Sequence, residues 1–360
     1  MGQVIKLFFV ALSLIALVAI VSVATQSPTW KTGRVLSDPL QLVTGGPAIL
    51  PPARLWIDTD AACGVTPRTD PDDCLAIVWL ASRKFDVVGI STSFGNAEGD
   101  AVERTARSLV ASLAQNGLPR IPVWKGLAEP RSSDKAVIAP GVTELRAALQ
   151  RGPLTILALG PLTNLTAALE GRPELHRNVT RVVAVMGHRP GHLFHPTEGK
   201  GAGAILGHGP IFRDLNFSMD VDAARRLLAL KLPLVLIPYD AAKDTMITGA
   251  DLDKLSHANA AFRHVAEQSR DWLKFWNTDV GLAGFYPFDW IAAAYLANPR
   301  LFDCAHVHAR IAREWVFWLL PRDGLLIDGM SLDSDAEPNV LYCPQTAHPL
   351  HDVMLSDLAR

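Results

Sequence analysis

Apolar runs of strand length recur through the chain as LWI (55–57), VVGISTS (87–93), LTILALG (154–160), RVVAVMG (181–187) and LPLVLIP (232–238). Most are followed by a segment with helical spacing, such as DDCLAIVWLASRK (72–84) or DAVERTARSLVASLAQ (100–115). Alternation of this kind predicts an α/β fold with a mostly parallel central sheet covered by helices on both faces. After Ile247 the pattern turns helical, over HANAAFRHVAEQSRDWLKFWN (257–277) and FDWIAAAYLANPRLF (288–302). Sheet patterning resumes in ARIAREWVFWLL (309–320), GLLID (324–328) and NVLYC (339–343), which read as extra C-terminal strands, antiparallel additions or an edge hairpin. No composition shift separates these parts, so 54–360 reads as one domain.

The N-terminus follows a different rule. Lys6 precedes an uncharged apolar run from Leu7 to Ala24 that closes on Ser22, Val23 and Ala24. This is the pattern of an export signal, long enough also to act as a membrane anchor. Residues 1–26 are therefore expected to be a signal peptide or an anchor through 7–24. Residues 27–53, rich in Pro, Gly, Ser and Thr, are expected to form a linker. The expected location is outside the cytoplasm, periplasmic or membrane-anchored.

A formal net charge of -2 and scattered Lys and Arg argue against a nucleic-acid polymer as partner and leave a small molecule as the default. Cys63, Cys74, Cys304 and Cys343 show no paired zinc spacing, and export would permit disulfides. Cys304 with Cys343 is the pair first to be tested.

The segment DTDAACGVTPRTDPDD sets Asp58, Asp60, Asp70, Asp72 and Asp73 within sixteen residues, directly after the strand-like LWI. In an open α/β sheet that is the carboxyl end of a strand, where ligands bind. Like charges so close raise one another's pKa unless a cation compensates them. An oxygen-ligated hard cation does so, and calcium tolerates a loop-borne, irregular set better than magnesium. One aspartate alone would read as a cap for the helix beginning near Asp73.

IDTD...DPDDCLAI resembles the opening motif of the inosine-uridine preferring nucleoside hydrolase family. GISTSFGN, ILALGPLTNLTAAL, VVAVMG, RDLNFSMDVDAARRLL and FDWIAAAYLANPRLF are similar to further family segments in the same order, from about Leu55 to Phe302. The resemblance implies a calcium-dependent hydrolase that splits the N-glycosidic bond of a nucleoside or related N-riboside into base and sugar. It implies that Asp60, Asp73, Asp289 and the carbonyl of Leu159 hold Ca2+, that Asp60 takes a proton from the attacking water, and that Asp58 orients Asp60. Asp72, Asp214, Asn216 and His208 fall where the family grips the sugar, with Asn96 and Met186 lining the pocket. A homo-oligomer is a further implication, since the family is often dimeric or tetrameric.

Several positions depart from the family pattern. The loop between Asp60 and Asp72 has eleven residues, longer than in the best-known members, and could cover the pocket or carry Arg68 into it. His208 stands for asparagine and Asp214 for glutamate. Phe288 stands where many members have a histidine that protonates the leaving base, and phenylalanine donates no proton. His208 is a candidate acid; His188, His192 and His195, in the glycine-rich stretch from Gly187, read as surface histidines or as substitutes for that acid. Asn164 reads as a helix cap. Trp272, Trp276, Phe285 and Tyr286 read as core or as a stacking surface for a base. The alternative to an enzyme is a catalytically impaired nucleoside- or sugar-binding protein that keeps the metal site. A metal-dependent phosphatase ranks last, for want of an evident cationic clamp.

Overall fold

The computed structural model describes residues 54–118, 120–131, 138–190, 213–316, 320–328 and 338–356, with Leu40, Leu42 and Leu358 singly. Residues 1–26, expected to be an export segment, the expected linker 27–53 apart from Leu40 and Leu42, and His192, His195 and His208 lie outside the described residues.

Among the described residues nine strands form one sheet, and its centre follows from the apolar runs. These are β1 (Arg54–Thr59), β2 (Val87–Thr92), β3 (Val123–Lys125), β4 (Leu154–Ala158), β5 (Val179–Ala184) and β6 (Leu234–Leu236). A two-stranded antiparallel sheet of β7 (Ile247–Thr248) and β8 (Gly284–Phe285) lies apart from it. The C-terminal strands are β9 (Phe302–Val316), β10 (Leu320–Asp328) and β11 (Val340–Thr346). The order is β10-β9-β11-β6-β5-β4-β1-β2-β3. From β11 to β3 every pairing is parallel, whereas β9 runs antiparallel to both β11 and β10. The late strands thus include one parallel member, β11, as well as the antiparallel hairpin.

Strand β1 shows why the sheet needs cover on both faces. Leu55 and Ile57 point into one hydrophobic cluster and Trp56 into the other, as the two-residue period requires. The helix α1 (Asp72–Ser82) is buried along its whole length up to Ala81. It packs against another almost wholly apolar helix, α2 (Phe288–Ala297). Helices apolar all round have no solvent face and belong in a core. Burial of each large side chain there, Leu75 or Ile77 for example, stabilises the fold by roughly 1.5–3 kcal/mol. These two helices hold aspartates at their first turns.

Two disulfides are present. Cys304–Cys343 ties β9 to β11, and Cys63–Cys74 ties the long loop after Asp60 to the first turn of α1. Spacing does not foretell the second, because its cysteines belong to a loop and a helix that only the fold brings together.

Candidate active site

The strand order reverses between β1 and β4, because β1 is followed outward by β2 and β3 on one side and by β4, β5 and β6 on the other. A crevice opens there at the carboxyl ends of the strands. It is a cavity of about 500 Å³ whose walls are residues just past the strand ends: Asp60 after β1, Asn96 after β2, Leu159 after β4, Met186 after β5 and Tyr239 after β6. Loop and helix residues complete it, namely Arg68, Asp70, Asp72, Asp73, Arg213, Asp214, Asn216, Trp272, Phe288 and Asp289.

Asp72, Asp73 and Asp289 each offer a carboxylate oxygen within 4.8 Å of the others, and all three are buried. Asp72 and Asp73 open α1, and Asp289 lies in the first turn of α2. Helix N-termini favour negative charge, so two helix dipoles converge on this cluster. Asp72 links them, accepting from the Asp289 backbone N–H at 2.9 Å and the Asp73 N–H at 3.1 Å. Thr59 donates its hydroxyl to Asp73. Asp60 lies outside that triad but in the same cavity, and accepts from the Asn96 N–H at 2.8 Å.

That last contact needs Gly95. Its φ is +139°, and a Cβ there would stand 2.4 Å from Asp60 Oδ2. Only glycine lets the backbone pass this close in that conformation.

Burial, joined by repulsion from Asp73 and Asp72, pushes Asp60 well above the usual carboxylate range. Burial and the same neighbours do so for Asp289, and burial and Asp72 raise Asp73 to about 7. So many desolvated carboxyls in one crevice are costly unless paired with positive charge. The donor set is entirely oxygen, which fits a hard cation and not a zinc-like one. The cluster could therefore bind a metal ion.

Behind it Asp58 is fully buried, accepting from Ser91 Oγ and from Asn164 Nδ2. Burial raises its carboxyl to about 7 against those two hydrogen bonds. None of its hydrogen bonds goes to Asp60, so any support it gives Asp60 passes through the backbone of Thr59 between them. Asn164 is not a helix cap: the cap position is Leu162, and the Asn164 side chain also donates to Thr92 O and accepts from Leu127 N.

On the opposite side of β4, Asn216 donates to the carbonyls of Leu159 at 2.7 Å and Val185 at 3.1 Å. The Leu159 carbonyl thus already serves a protein donor, with its second lone pair remaining. Asp214 accepts from the Gly187 N–H at 2.7 Å and caps the short helix Leu215–Met219 through Phe217 N–H, its carboxyl raised by burial. His188 is no surface histidine: it is 2 % exposed, with Nε2 2.7 Å from Glu314 on β9, and does not line the cavity.

Of the aromatic residues, Trp272 lines the cavity, while Trp276 and Phe285 are fully buried core. Phe288 lines it too, stacked on Tyr239 at a centroid distance of 5.2 Å. Tyr239 lies outside the family-like segments, and Arg213 opens one of them with no role attached to it; the rule that ligands lie past strand ends, applied to LPLVLIPY, is the signal that points to Tyr239. Asn96 holds the long loop by exchanging hydrogen bonds with the backbone of Asp70.

The family model "Inosine-uridine preferring nucleoside hydrolase" matches residues 55–340. The pyrimidine-specific ribonucleoside hydrolase RihA of Citrobacter koseri is 28% identical over 260 residues, covering 64% of this chain and 77% of that protein. RihA of Salmonella enteritidis is 24% identical over 259 residues, covering 64% and 78%. Among solved structures, a plant nucleoside hydrolase, PpNRh1, superposes with a TM-score of 0.66 at 19% identity, over 86% of this chain and 99% of its own. The purine-preferring ribonucleoside hydrolase of Gardnerella vaginalis gives 0.66 at 22% identity, over 85% and 99%. These two likenesses show the fold. With the matched family model spanning most of the chain, the protein belongs to the inosine-uridine preferring nucleoside hydrolase family, enzymes that hydrolyse N-glycosidic bonds.

Proposed function

We propose that this hydrolase depends on calcium and acts outside the cytoplasm on a nucleoside or related N-riboside. The observation that carries the metal assignment is the convergence of Asp72, Asp73 and Asp289 at two helix N-termini, with Asp60 in the same cavity. Calcium accepts six to eight oxygen ligands in irregular geometry, which suits carboxylates drawn from a strand end, a loop-helix junction and a distant helix. When bound, the cation would offset the buried negative charge and lower the pKa of an attacking water.

The chain's own residues divide the remaining work. Asp60, fixed by the Asn96 N–H, takes the water's proton. Its carboxylate lines the same cavity as the aspartate cluster, where it can serve as the base. Asp214 and Asn216 grip the sugar on the Gly187 side, and Asp72 on the side of α1. Tyr239, Trp272 and Phe288 give the cavity an apolar aromatic wall against which a flat base can lie. The export signal in residues 1–26 supports the extracytoplasmic location, and the two disulfides are consistent with it.

The test is incubation of the protein with a panel of purine and pyrimidine nucleosides, with calcium or after chelation, reading free base and reducing sugar. Calcium-dependent release of both products is expected. Undiminished release after exhaustive chelation would defeat the metal assignment. Binding by calorimetry without product would favour a binding protein.

A further inference from the structure

Cleavage of an N-glycosidic bond sends the bonding electron pair onto a ring nitrogen of the base. That nitrogen must be protonated as it leaves, or its negative charge must be met by a donor. Phe288, at the first turn of α2, can do neither. Among the described residues lining the cavity there is no histidine or lysine; Tyr239, stacked on Phe288, offers a neutral hydroxyl, and the cations are Arg68 and Arg213. Arg213 adjoins Asp214, with Nη2 3.6 Å from Met219 Sδ, on the wall assigned to the sugar. Arg68 stands elsewhere. It comes from the long loop after Asp60, and its guanidinium lies 5.1 Å from the Phe275 ring and 3.5 Å from Asp279. Both partners belong to the segment 270–280 that also supplies Trp272 to the cavity wall.

The loop is anchored at both ends. The Cys63–Cys74 bridge ties it to α1, and Asn96 holds Asp70. The Arg68 side chain itself is 71% exposed, held by one ring face and one half-exposed carboxylate. Such contacts are weak, so the guanidinium can turn from Asp279 to a ligand in the cavity.

Resting on the hydrolase reading above, we infer that Arg68 is the leaving-group residue of this enzyme, a fixed cation that donates hydrogen bonds to the departing base. In the step, the C1′–N bond breaks with its electron pair going to the base. The water oxygen bonds to C1′ and gives its proton to Asp60. The guanidinium stabilises the base anion, which takes its proton from solvent on release. Arginine keeps its own proton throughout and acts by charge and hydrogen bonding, as donors do at a developing oxyanion. It follows that the chain favours leaving groups with a hydrogen-bond acceptor at the ring edge.

The test compares two ribosides in the full-length protein with calcium. One is a natural nucleoside, whose base leaves poorly. The other is an aryl riboside whose phenol is acidic enough to leave unaided. In Arg68→Ala, kcat on the nucleoside is expected to fall about 100-fold, the loss typical of one removed donor, while kcat on the aryl riboside stays within about 3-fold. Arg68→Lys should restore part of the nucleoside rate. Calcium binding by calorimetry should be unchanged in both variants. Equal loss on both substrates, or no loss on the nucleoside, would overturn the assignment of Arg68. A wild-type chain inert on every riboside would instead overturn the hydrolase reading itself, and this one with it.

Discussion

Asn164 donates its side-chain amide to the buried carboxylate of Asp58 at 2.8 Å, joining residues 106 apart in sequence directly behind the candidate site. The same amide holds Thr92 O and Leu127 N, so one side chain pins the ends of three chain segments. Removing it strands several buried polar groups at once. Asn164→Ala is expected to cost on the order of 3 kcal/mol, since each unsatisfied buried partner costs about 1–3 kcal/mol. Asn164→Asp should be worse, because it sets a second carboxyl against Asp58. Urea denaturation of the three proteins checks the order; an Asp variant as stable as wild type would contradict it.

The central parallel sheet is legible in the sequence because its strands are buried on both faces and read as unbroken apolar runs. The aspartates are legible as a group because no ordinary surface needs five of them at a strand exit. Asn164 misleads for a physical reason: asparagine near a helix start is usually a cap, and nothing local reveals that Asp58 waits across the sheet. His188 misleads likewise, since its partner Glu314 lies on a strand 126 residues later. Tyr239 and the Cys63–Cys74 bridge stay hidden because each depends on a juxtaposition that only the closed fold creates.

Gly95 offers a sharper probe of the site. Its φ of +139° and the 2.4 Å approach of a notional Cβ to Asp60 Oδ2 leave no room for a side chain. Gly95→Ala should therefore push Asp60 aside and lower kcat by about 100-fold, the loss that a displacement of about 1 Å can bring. Gly117 is the control. Its φ is +77° but nothing lies within 4 Å of its Cβ position. Gly117→Ala should cost about 1 kcal/mol of stability and leave turnover intact. Equal kinetic effects from the two would show that backbone strain, not displacement of Asp60, governs the loss.

The two disulfides should differ in what they protect. Cys63–Cys74 ties the loop after Asp60 to the first turn of α1, one residue beyond Asp73. Cys304–Cys343 joins two strands of the C-terminal extension. Replacing either pair with serine should cost about 2–4 kcal/mol of stability. Only the Cys63→Ser/Cys74→Ser protein should also bind calcium more weakly, because its aspartate-bearing loop gains freedom that binding must remove. Calorimetric titration of both double variants decides the matter; weakening in the Cys304→Ser/Cys343→Ser protein alone would contradict it.

The acid limb of stability should carry the mark of Glu314. Burial alone would raise this carboxyl, but the hydrogen bond and charge of His188, followed by those of Arg322, outweigh it and hold the group at about 2, against an ordinary value of 4.5. The folded state therefore holds the charged form more tightly than the unfolded state does. The stability this confers is present in full above pH 4.5 and is lost as pH falls from there towards 2. A tenfold difference in proton affinity between the two states is worth about 1.4 kcal/mol, which makes the whole contribution about 3 kcal/mol at most. The group is only partly shielded from water, so solvent screening lowers the realised contribution below that ceiling. Glu314→Gln removes the titrating group while keeping its shape and a hydrogen-bonding oxygen for Arg322. The difference in unfolding free energy between wild type and variant should be largest above about pH 5 and shrink steadily from there towards about pH 3. A difference that stayed constant over that interval would mean that Glu314 acts through packing and not through its charge.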